Sequence, residues 1–358
     1  MSILSRRMTC GLACTVSILA ASFAGIAQAQ KEAAATQKAP EAAAGAKADP
    51  YKLPETGGVQ ELFEFIKRIS EIQPTSQEEF NIHREKAIKS IKAAGEKMQK
   101  IATPEEKKSD SYQDVMSLLL TLRAGESPKL SDEELKTLTA DIKASLSSAV
   151  SLKEQSRAIQ AALQMASALE YSKTPEKAVE AYKEFGAILS KNKNEQIAAQ
   201  GEQMEGAARR LGLVGNSIEI TGTQLDGKKF DWAQYRGKVV LIDFWATWCG
   251  PCIAELPNVK KNYDLYHKRG FDVVGISLDD DRDALMDFVK KEGNPWVNLN
   301  DGGSGSPAAK LYGINTIPTV ILVDKEGKVV SIRARGPELG NLLAKLLGPA
   351  DETADDKK

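Results

Sequence analysis

The chain has 358 residues, of which 42% are hydrophobic and 27% charged, enough for two ordinary domains with buried cores. Its 48 lysine and arginine residues are balanced by 49 aspartate and glutamate residues. This balance leaves no basic excess to neutralise phosphates, so we expect no nucleic-acid partner.

The N-terminus has the features of an export signal. Two arginines precede an apolar run over about residues 8–26, and the small residues Ala27 and Ala29 follow, as at signal-peptidase cleavage sites. We therefore expect residues 1–29 to be a cleaved signal peptide and the protein to be periplasmic or otherwise extracytoplasmic. A retained membrane anchor or a lipid anchor is the alternative, but an anchor helix would need a more strongly apolar run.

Two segments have the composition of mobile chain. Residues 30–55 are rich in alanine and begin without an amphipathic pattern, which indicates a flexible linker. Residues 349–358 form a charged C-terminal tail, which we expect to be disordered.

Residues 56–213 have helical periodicity throughout and predict an all-α domain. Apolar residues recur at helical spacing, for example Leu62, Phe65, Ile66 and Ile69. Helix starts are indicated where Ser76 precedes Glu79 and Ser131 precedes Glu134. We expect five to seven helices in a bundle or an irregular array of hairpins. This region carries no catalytic motif, and a role in partner docking or self-association is inferred from its architecture alone.

Cys249 and Cys252 lie between a predicted strand and a predicted helix. Residues 238–244, "KVVLIDF", are apolar and β-branched, which is typical of a buried strand. After the cysteines, apolar residues recur at helical spacing through Tyr266. The pair is therefore predicted at the N-terminus of a helix, beyond the C-terminal end of a strand.

The two cysteines could form a metal site, a structural disulfide or a redox pair. A zinc site needs four ligands, and besides this pair the mature chain offers only His83 and His267, which show no sign of proximity. A disulfide that closes so short a loop removes little entropy from the unfolded chain. The redox pair is the interpretation that these considerations favour, and we expect no metal.

The position of each cysteine predicts its role. Cys249 would face the unpaired N–H groups and the positive end of the helix dipole, which lower a thiol pKa and favour the nucleophilic thiolate. Cys252, one turn further on, would attack Cys249 and resolve a mixed disulfide. Because only the N-terminal thiol of such a helix should be open to a bulky partner, we expect Cys249 to be clearly more exposed.

The segments "VVLIDFWATWCGPC" and "GINTIPTVILVDKEGKVV" resemble thioredoxin. The resemblance covers residues 214–348 and implies an α/β thioredoxin-like domain, with a central mixed sheet and flanking helices, after the all-α domain. Pro318 matches the proline that follows a cis peptide bond in that family. By resemblance Pro318 lies beside the cysteines, and the backbone of Ile317 pairs with an extended segment of a substrate protein.

Three further segments resemble the exported thiol-disulfide reductases of the ResA/TlpA type: the leading hairpin "IEITGTQLDGKKFDWAQYRGK", the extended motif "WATWCGPCIAELP" and the longer middle segment "FDVVGISLDDDRDALMDFVKKEGNPW". The resemblance implies that Trp248, Gly250 and Pro251 contribute to substrate binding. Glu255 matches an acidic residue near the active site of those reductases. Asp243 departs from them, because they more often carry asparagine there, whereas cytoplasmic thioredoxin carries a buried aspartate.

Two carboxyl groups are therefore candidates for moving the proton of Cys252. We expect Asp243 to be buried at the end of its strand, with a raised pKa suited to a general base. Glu255 lies three residues beyond Cys252 on one helical face. We expect it to stay ionised and to modulate the thiol pKa values.

The resemblance implies an exported thiol-disulfide reductase with no cofactor beyond the redox-active Cys249–Cys252 disulfide. Its partners would be oxidised exported proteins, such as apocytochrome c, and a membrane electron donor that supplies thiols.

Other functions remain open. A thiol peroxidase would share the fold, but the proline of the peroxidase motif is missing upstream of Cys249. A disulfide oxidase or isomerase is harder to exclude, although Gly250 and Pro251 resemble the reducing members, with potentials of about −270 mV against about −120 mV for an oxidising relative. From a different class, the chain could be a helical scaffold or binding protein with a redox-sensing domain.

Overall fold

The computed structural model describes residues 49–350, apart from the side chain of Ser304. The predicted signal peptide, most of the predicted linker and nearly all of the predicted tail lie outside these residues. The chain divides into two compact units, one up to Ala168 and one from Leu169 onward. Among the helices within residues 49–350, none combines the length and the hydropathy that a membrane span requires.

The first unit is helical. Its described elements are α1 (Val59–Ser70), α2 (Gln77–Ile101), α3 (Asp110–Gly125), α4 (Asp132–Ser148) and most of α5 (Leu152–Glu170). The predicted starts of α2 and α4 are confirmed, because Ser76 accepts the Glu79 N–H and Ser131 forms a capping box with Glu134. The predicted apolar residues of α1, such as Leu62 and Ile66, are fully buried in the core of this unit.

The second unit begins with two helices and continues into a sheet. Its elements are α6 (Glu176–Leu189), α7 (Glu195–Leu211), β1 (Val239–Trp245), α8 (Gly250–Tyr266), β2 (Phe271–Ser277), α9 (Arg282–Glu292), β3 (Val297–Leu299), α10 (Pro307–Leu311), β4 (Thr319–Val323), β5 (Val329–Ser331) and α11 (Pro337–Leu347). The strand order is β3-β2-β1-β4-β5. Strands β1, β2 and β3 run parallel, whereas β4 and β5 pair antiparallel with their neighbours. The predicted mixed sheet with flanking helices, preceded by a helical region, is confirmed.

Strand β1 lies at the centre of the sheet and presents different residues to its two faces. Val240, Ile242 and Phe244 belong to the core on one face. Val239 and Leu241 belong to the core on the other face, together with residues of α8 and α11. Because side chains alternate along a strand, Asp243 faces α8, on the side of the cysteine pair.

Helix α7 packs closely on the strand-containing part of the second unit. A Cβ atom added to Gly206 would lie only 2.4 Å from the backbone nitrogen of Gly313. The Arg209 Nε–H donates a hydrogen bond of 2.8 Å to the carbonyl oxygen of Leu311. The last helices of the helical region are thus part of the same compact unit as the sheet.

Candidate redox site

Cys249 and Cys252 form a disulfide where β1 meets α8, as the sequence predicts. Cys249 is the N-cap residue of α8, and the Cys252 N–H lies 3.2 Å from the Cys249 sulfur. This sulfur therefore occupies the position at which a helix N-terminus offers unpaired N–H groups and a positive dipole end. A thiolate formed here by reduction would be stabilised by both.

The two cysteines are almost equally buried, at 5% and 4% exposure. The expectation that Cys249 would be clearly more exposed is wrong for this disulfide form. Trp245, Ala246 and Leu285 form a buried cluster with both cysteines, and this packing covers both. The residues packed around the disulfide therefore determine how a substrate can reach its sulfur atoms.

The residues next to the cysteines are the ones that reach solvent. Trp248 is 68% exposed, and Gly250 and Pro251 are also exposed. They follow the end of β1 and open α8, so they border the disulfide in sequence and in space. An approaching polypeptide would meet these residues before the sulfur atoms.

The peptide bond between Ile317 and Pro318 is cis, which confirms the expectation taken from the resemblance. Ile317 packs against the cluster that contains both cysteines. This packing brings the loop before β4 to the disulfide, although the two segments are far apart in sequence. An Arg335 Nη1–H donates a hydrogen bond of 3.4 Å to the Pro318 carbonyl oxygen.

The carboxyl group of Asp243 has an unusual environment. Part of the residue remains accessible to solvent, yet protein atoms surround the carboxyl group, and this burial raises its pKa from the ordinary 3.8 to about 7. The nearby Arg335 guanidinium opposes the rise, and the Glu255 carboxylate adds to it. A carboxyl group with a pKa near neutrality can accept and release a proton at physiological pH.

Glu255 is held by hydrogen bonds that its sequence position did not predict. Its Oε1 accepts the Gly336 N–H at 2.7 Å and an Asn258 Nδ2–H at 2.7 Å. The second Asn258 contact, to the Gly336 carbonyl oxygen at 3.0 Å, strengthens the same junction. Glu255 therefore links α8 to the residue that precedes α11.

Comparison with known proteins agrees with this geometry. A model of the redoxin family matches residues 213–341. A thiol-disulfide oxidoreductase ResA of Bacillus thuringiensis subsp. konkukian is 36% identical over 109 residues, which cover 30% of this chain and 61% of the relative. Residues 213–341 thus match the redoxin family and are similar to thiol-disulfide oxidoreductases of the ResA type. We refer to residues 213–341 as the redoxin domain.

Other similar proteins match the same part of the chain. ResA of Halalkalibacterium halodurans is 28% identical over 131 residues, or 36% of this chain and 73% of that protein. The solved thioredoxin domain of a Bacteroides vulgatus thiol-disulfide oxidoreductase is 30% identical, with 37% of this chain and 97% of that chain covered and a TM-score of 0.35. This chain spans 61% of the length of the first curated relatives.

Asp279 is a residue of the redoxin domain whose role the sequence analysis missed. It is only 3% exposed, and its carboxylate accepts hydrogen bonds from the Thr247 N–H at 3.1 Å, the Thr247 hydroxyl at 2.5 Å and the Ser277 hydroxyl at 2.8 Å. These contacts fix the loop between β1 and Cys249. Its position just after β2, beside the end of the parallel strand β1, is the signal that could have identified it.

Proposed function

We propose that the chain is an exported thiol-disulfide reductase that acts on disulfides in proteins. The observation that carries this proposal is the disulfide at the N-terminus of α8, against which the residue before cis-Pro318 packs. The similar proteins are named thiol-disulfide oxidoreductases, and that name supports the same class of reaction here.

The proposed reaction proceeds in two exchange steps. In the reduced protein, the Cys249 thiolate attacks one sulfur of a substrate disulfide, which forms a mixed disulfide and releases the other sulfur as a thiolate. Cys252 then loses its proton and attacks Cys249, which releases the second substrate sulfur and leaves the disulfide seen in the structure. The substrate gains two electrons, and protons from Cys252 and from solvent complete its two thiols.

Asp243 is the proposed base for Cys252. Its pKa of about 7 allows it to take up the thiol proton when the resolving step begins and to release it afterwards. Glu255 is the proposed modulator, because its carboxylate is already committed to Gly336 and Asn258. The cysteine sulfurs themselves carry the electrons, so the proposed cycle needs no further cofactor.

The proposed partners of this cycle rest on the predicted export signal and on the resemblance. We propose oxidised exported proteins, including apocytochrome c, as substrates, and a thiol-reducing membrane protein as the donor that resets the disulfide. The Gly250-Pro251 sequence between the cysteines favours reduction over oxidation of the substrate.

Insulin reduction tests the proposed activity. With dithiothreitol as the electron source, we expect the wild-type protein to accelerate precipitation of the reduced insulin chains. A Cys249→Ser, Cys252→Ser double variant, which lacks the pair, should give only the rate of dithiothreitol alone. Equal rates for the two proteins would contradict the reductase and favour a helical binding protein with a sensing domain.

A further inference from the structure

A cleft in the second unit opens beside the cis-Pro318 loop and has a volume of about 520 Å³. Its lining combines the loop before β4, the segment between β5 and α11, and the end of the helical region. The residues that matter here are Glu170, Tyr171, Glu255, Pro318, Arg333 and Arg335. The cleft is therefore continuous with the site at which we propose substrate binding, and Glu170 and Tyr171, within the second unit, supply one of its walls.

The carboxylates in the cleft wall already have partners. Glu170 is 6% exposed and accepts hydrogen bonds from Arg210 Nη1 at 3.1 Å and from the Tyr182 hydroxyl at 2.9 Å. Glu255 accepts the Gly336 N–H, as described above. Glu170 and Arg210 compensate each other, whereas the hydrogen bonds to Glu255 come from neutral groups and leave its negative charge in place. The cleft therefore has two further positive charges against this one negative charge.

Arg333 and Arg335 provide those positive charges. Both residues are exposed, and neither forms a salt bridge with a carboxylate anywhere in residues 49–350. Their hydrogen bonds within residues 49–350 go to backbone carbonyl oxygens: Arg333 donates to Glu170 and Arg335 to Pro318. Since a guanidinium has five N–H donors, most of the donors in each side chain stay available to a ligand.

The end of α5 orients Arg333. The guanidinium carbon lies 5.2 Å from the centre of the Tyr171 ring, and an Nη2–H donates to the Glu170 carbonyl oxygen. Stacking and a hydrogen bond restrict a side chain that would otherwise lose much entropy on binding. Tyr171 is itself 72% exposed, so packing in the core of the unit does not account for its position.

We infer that this cleft binds an acidic side chain of the substrate polypeptide, close in sequence to the cysteine that is attacked. This inference rests on the proposed reductase function and adds a substrate class to it. Arg335 contacts the carbonyl of the same proline beside which an extended substrate would lie, and an extended chain advances about 3.3 Å per residue. A carboxylate a few residues from the cysteine reaches the two guanidinium groups, which are geometrically suited to bind it.

Disulfide-bonded peptides that differ at one residue provide the test. Each pair carries glutamate or glutamine at the second or third position before or after a cysteine, and kcat/KM is measured for every peptide at low salt. We expect at least one glutamate peptide to be preferred by roughly 5- to 10-fold, mainly through a lower KM. The preference should decrease with added salt.

Variants of the protein then show which side chains cause the preference for glutamate over glutamine. Arg333→Gln and Arg335→Gln should bring the glutamate-to-glutamine ratio close to one, whereas Arg236→Gln, which makes the same charge change at an exposed residue outside the cleft, should retain it. Tyr171→Ala should reduce the ratio and Tyr171→Phe should preserve it, because phenylalanine keeps the ring. The ratio is compared within each variant, so a change in the overall rate does not affect it.

The outcomes separate this inference from the proposed function. If the wild-type protein reduces all the peptides equally well, or if both arginine variants keep the preference, the cleft does not recognise acidic substrates and the reductase stands. If the wild-type protein reduces neither the peptides nor insulin, the reductase proposal itself is wrong.

Discussion

Glu255 accepts the backbone N–H of Gly336 at 2.7 Å, although the two residues are 81 positions apart in the sequence. The contact joins the helix that carries both cysteines to the residue before α11. On the other side of Gly336 lies Arg335, whose guanidinium contacts Pro318. The disulfide helix and the cis-proline loop are therefore connected through one short segment.

Loss of the Glu255 carboxylate should destabilise this connection. In Glu255→Ala the partly buried Gly336 N–H and the Asn258 amide lose an acceptor, and we expect the free energy of unfolding to fall by about 1–3 kcal/mol. Glu255→Gln keeps an oxygen that can accept the Gly336 N–H, so it should lose less. Urea unfolding of the oxidised proteins measures both. Equal losses in the two variants would show that this hydrogen bond contributes little.

Replacement of Asp243 by asparagine should slow the resolving step. In the wild-type protein the step should become faster as pH rises through about 7, since Asp243 must be ionised to accept the Cys252 proton. Asp243→Asn should remove this inflection and slow the step by at least about 10-fold. Single-turnover reduction of a peptide disulfide, followed by tryptophan fluorescence across pH, measures it. The assignment fails if Asp243→Asn changes nothing while Glu255→Gln slows the step.

The same carboxyl group should make stability depend on pH. Its pKa is raised from 3.8 to about 7 in the folded protein. Between these values the folded state retains a proton that the unfolded state has lost, so the free energy of unfolding decreases as pH rises through this window. Above about pH 7 we expect the free energy of unfolding of Asp243→Asn to exceed that of the wild type by about 2–4 kcal/mol. Below about pH 4 we expect no such difference.

Urea unfolding of the oxidised proteins at several pH values gives this difference directly. Asp287→Asn is the matched control, because Asp287 is exposed on α9, and its substitution should give a difference that is small at every pH. A constant difference between Asp243→Asn and the wild type would mean that the Asp243 carboxyl group titrates normally in the folded protein.

Removal of the Asp279 carboxylate should loosen the loop before Cys249. Asp279→Ala leaves the Thr247 N–H, the Thr247 hydroxyl and the Ser277 hydroxyl without their acceptor, which we expect to cost about 2–4 kcal/mol of unfolding free energy. The rate of exchange with a small disulfide should fall as well, because the Cys249 sulfur would be less well positioned. Asp280→Ala, at the exposed next residue, is the control. A stable and fully active Asp279→Ala protein would contradict this role.

Trapping should reveal the order of attack. Cys252→Ser should accumulate mixed disulfides with substrate proteins through Cys249, whereas Cys249→Ser should trap few or none. In the disulfide form the two residues are almost equally exposed, so we ascribe the expected difference to the N-cap position of Cys249, which favours its thiolate. Non-reducing electrophoresis of each variant after incubation with an exported protein extract measures the adducts. Equal yields would overturn the assignment of Cys249 as nucleophile.

Local patterns predicted much of the fold. The apolar run of β1, the periodicity of α8 and the serine caps of α2 and α4 are all encoded within a few neighbouring residues. The cis bond before Pro318 was predicted because its surrounding motif resembles that of a known family.

Contacts between distant segments could not be predicted in this way. The links from Glu255 to Gly336 and from Asp279 to Thr247 depend on how strands and helices assemble. The burial of both cysteines depends likewise on side chains contributed by other elements, such as Leu285 from α9. None of these contacts corresponds to a periodicity or a residue spacing that can be recognised in the neighbouring sequence.

The close approach of Gly206 to Gly313 limits how this protein can be shortened. The family match begins at residue 213, so a truncation designed from it would keep Gly313 and discard helix α7, which carries Gly206. The backbone of Gly313 and the Leu311 carbonyl oxygen would then lose the helix that covers them. The smallest fragment able to fold and remain in solution should therefore include α7, and a bulkier residue at either glycine should cause the same defect in the complete chain.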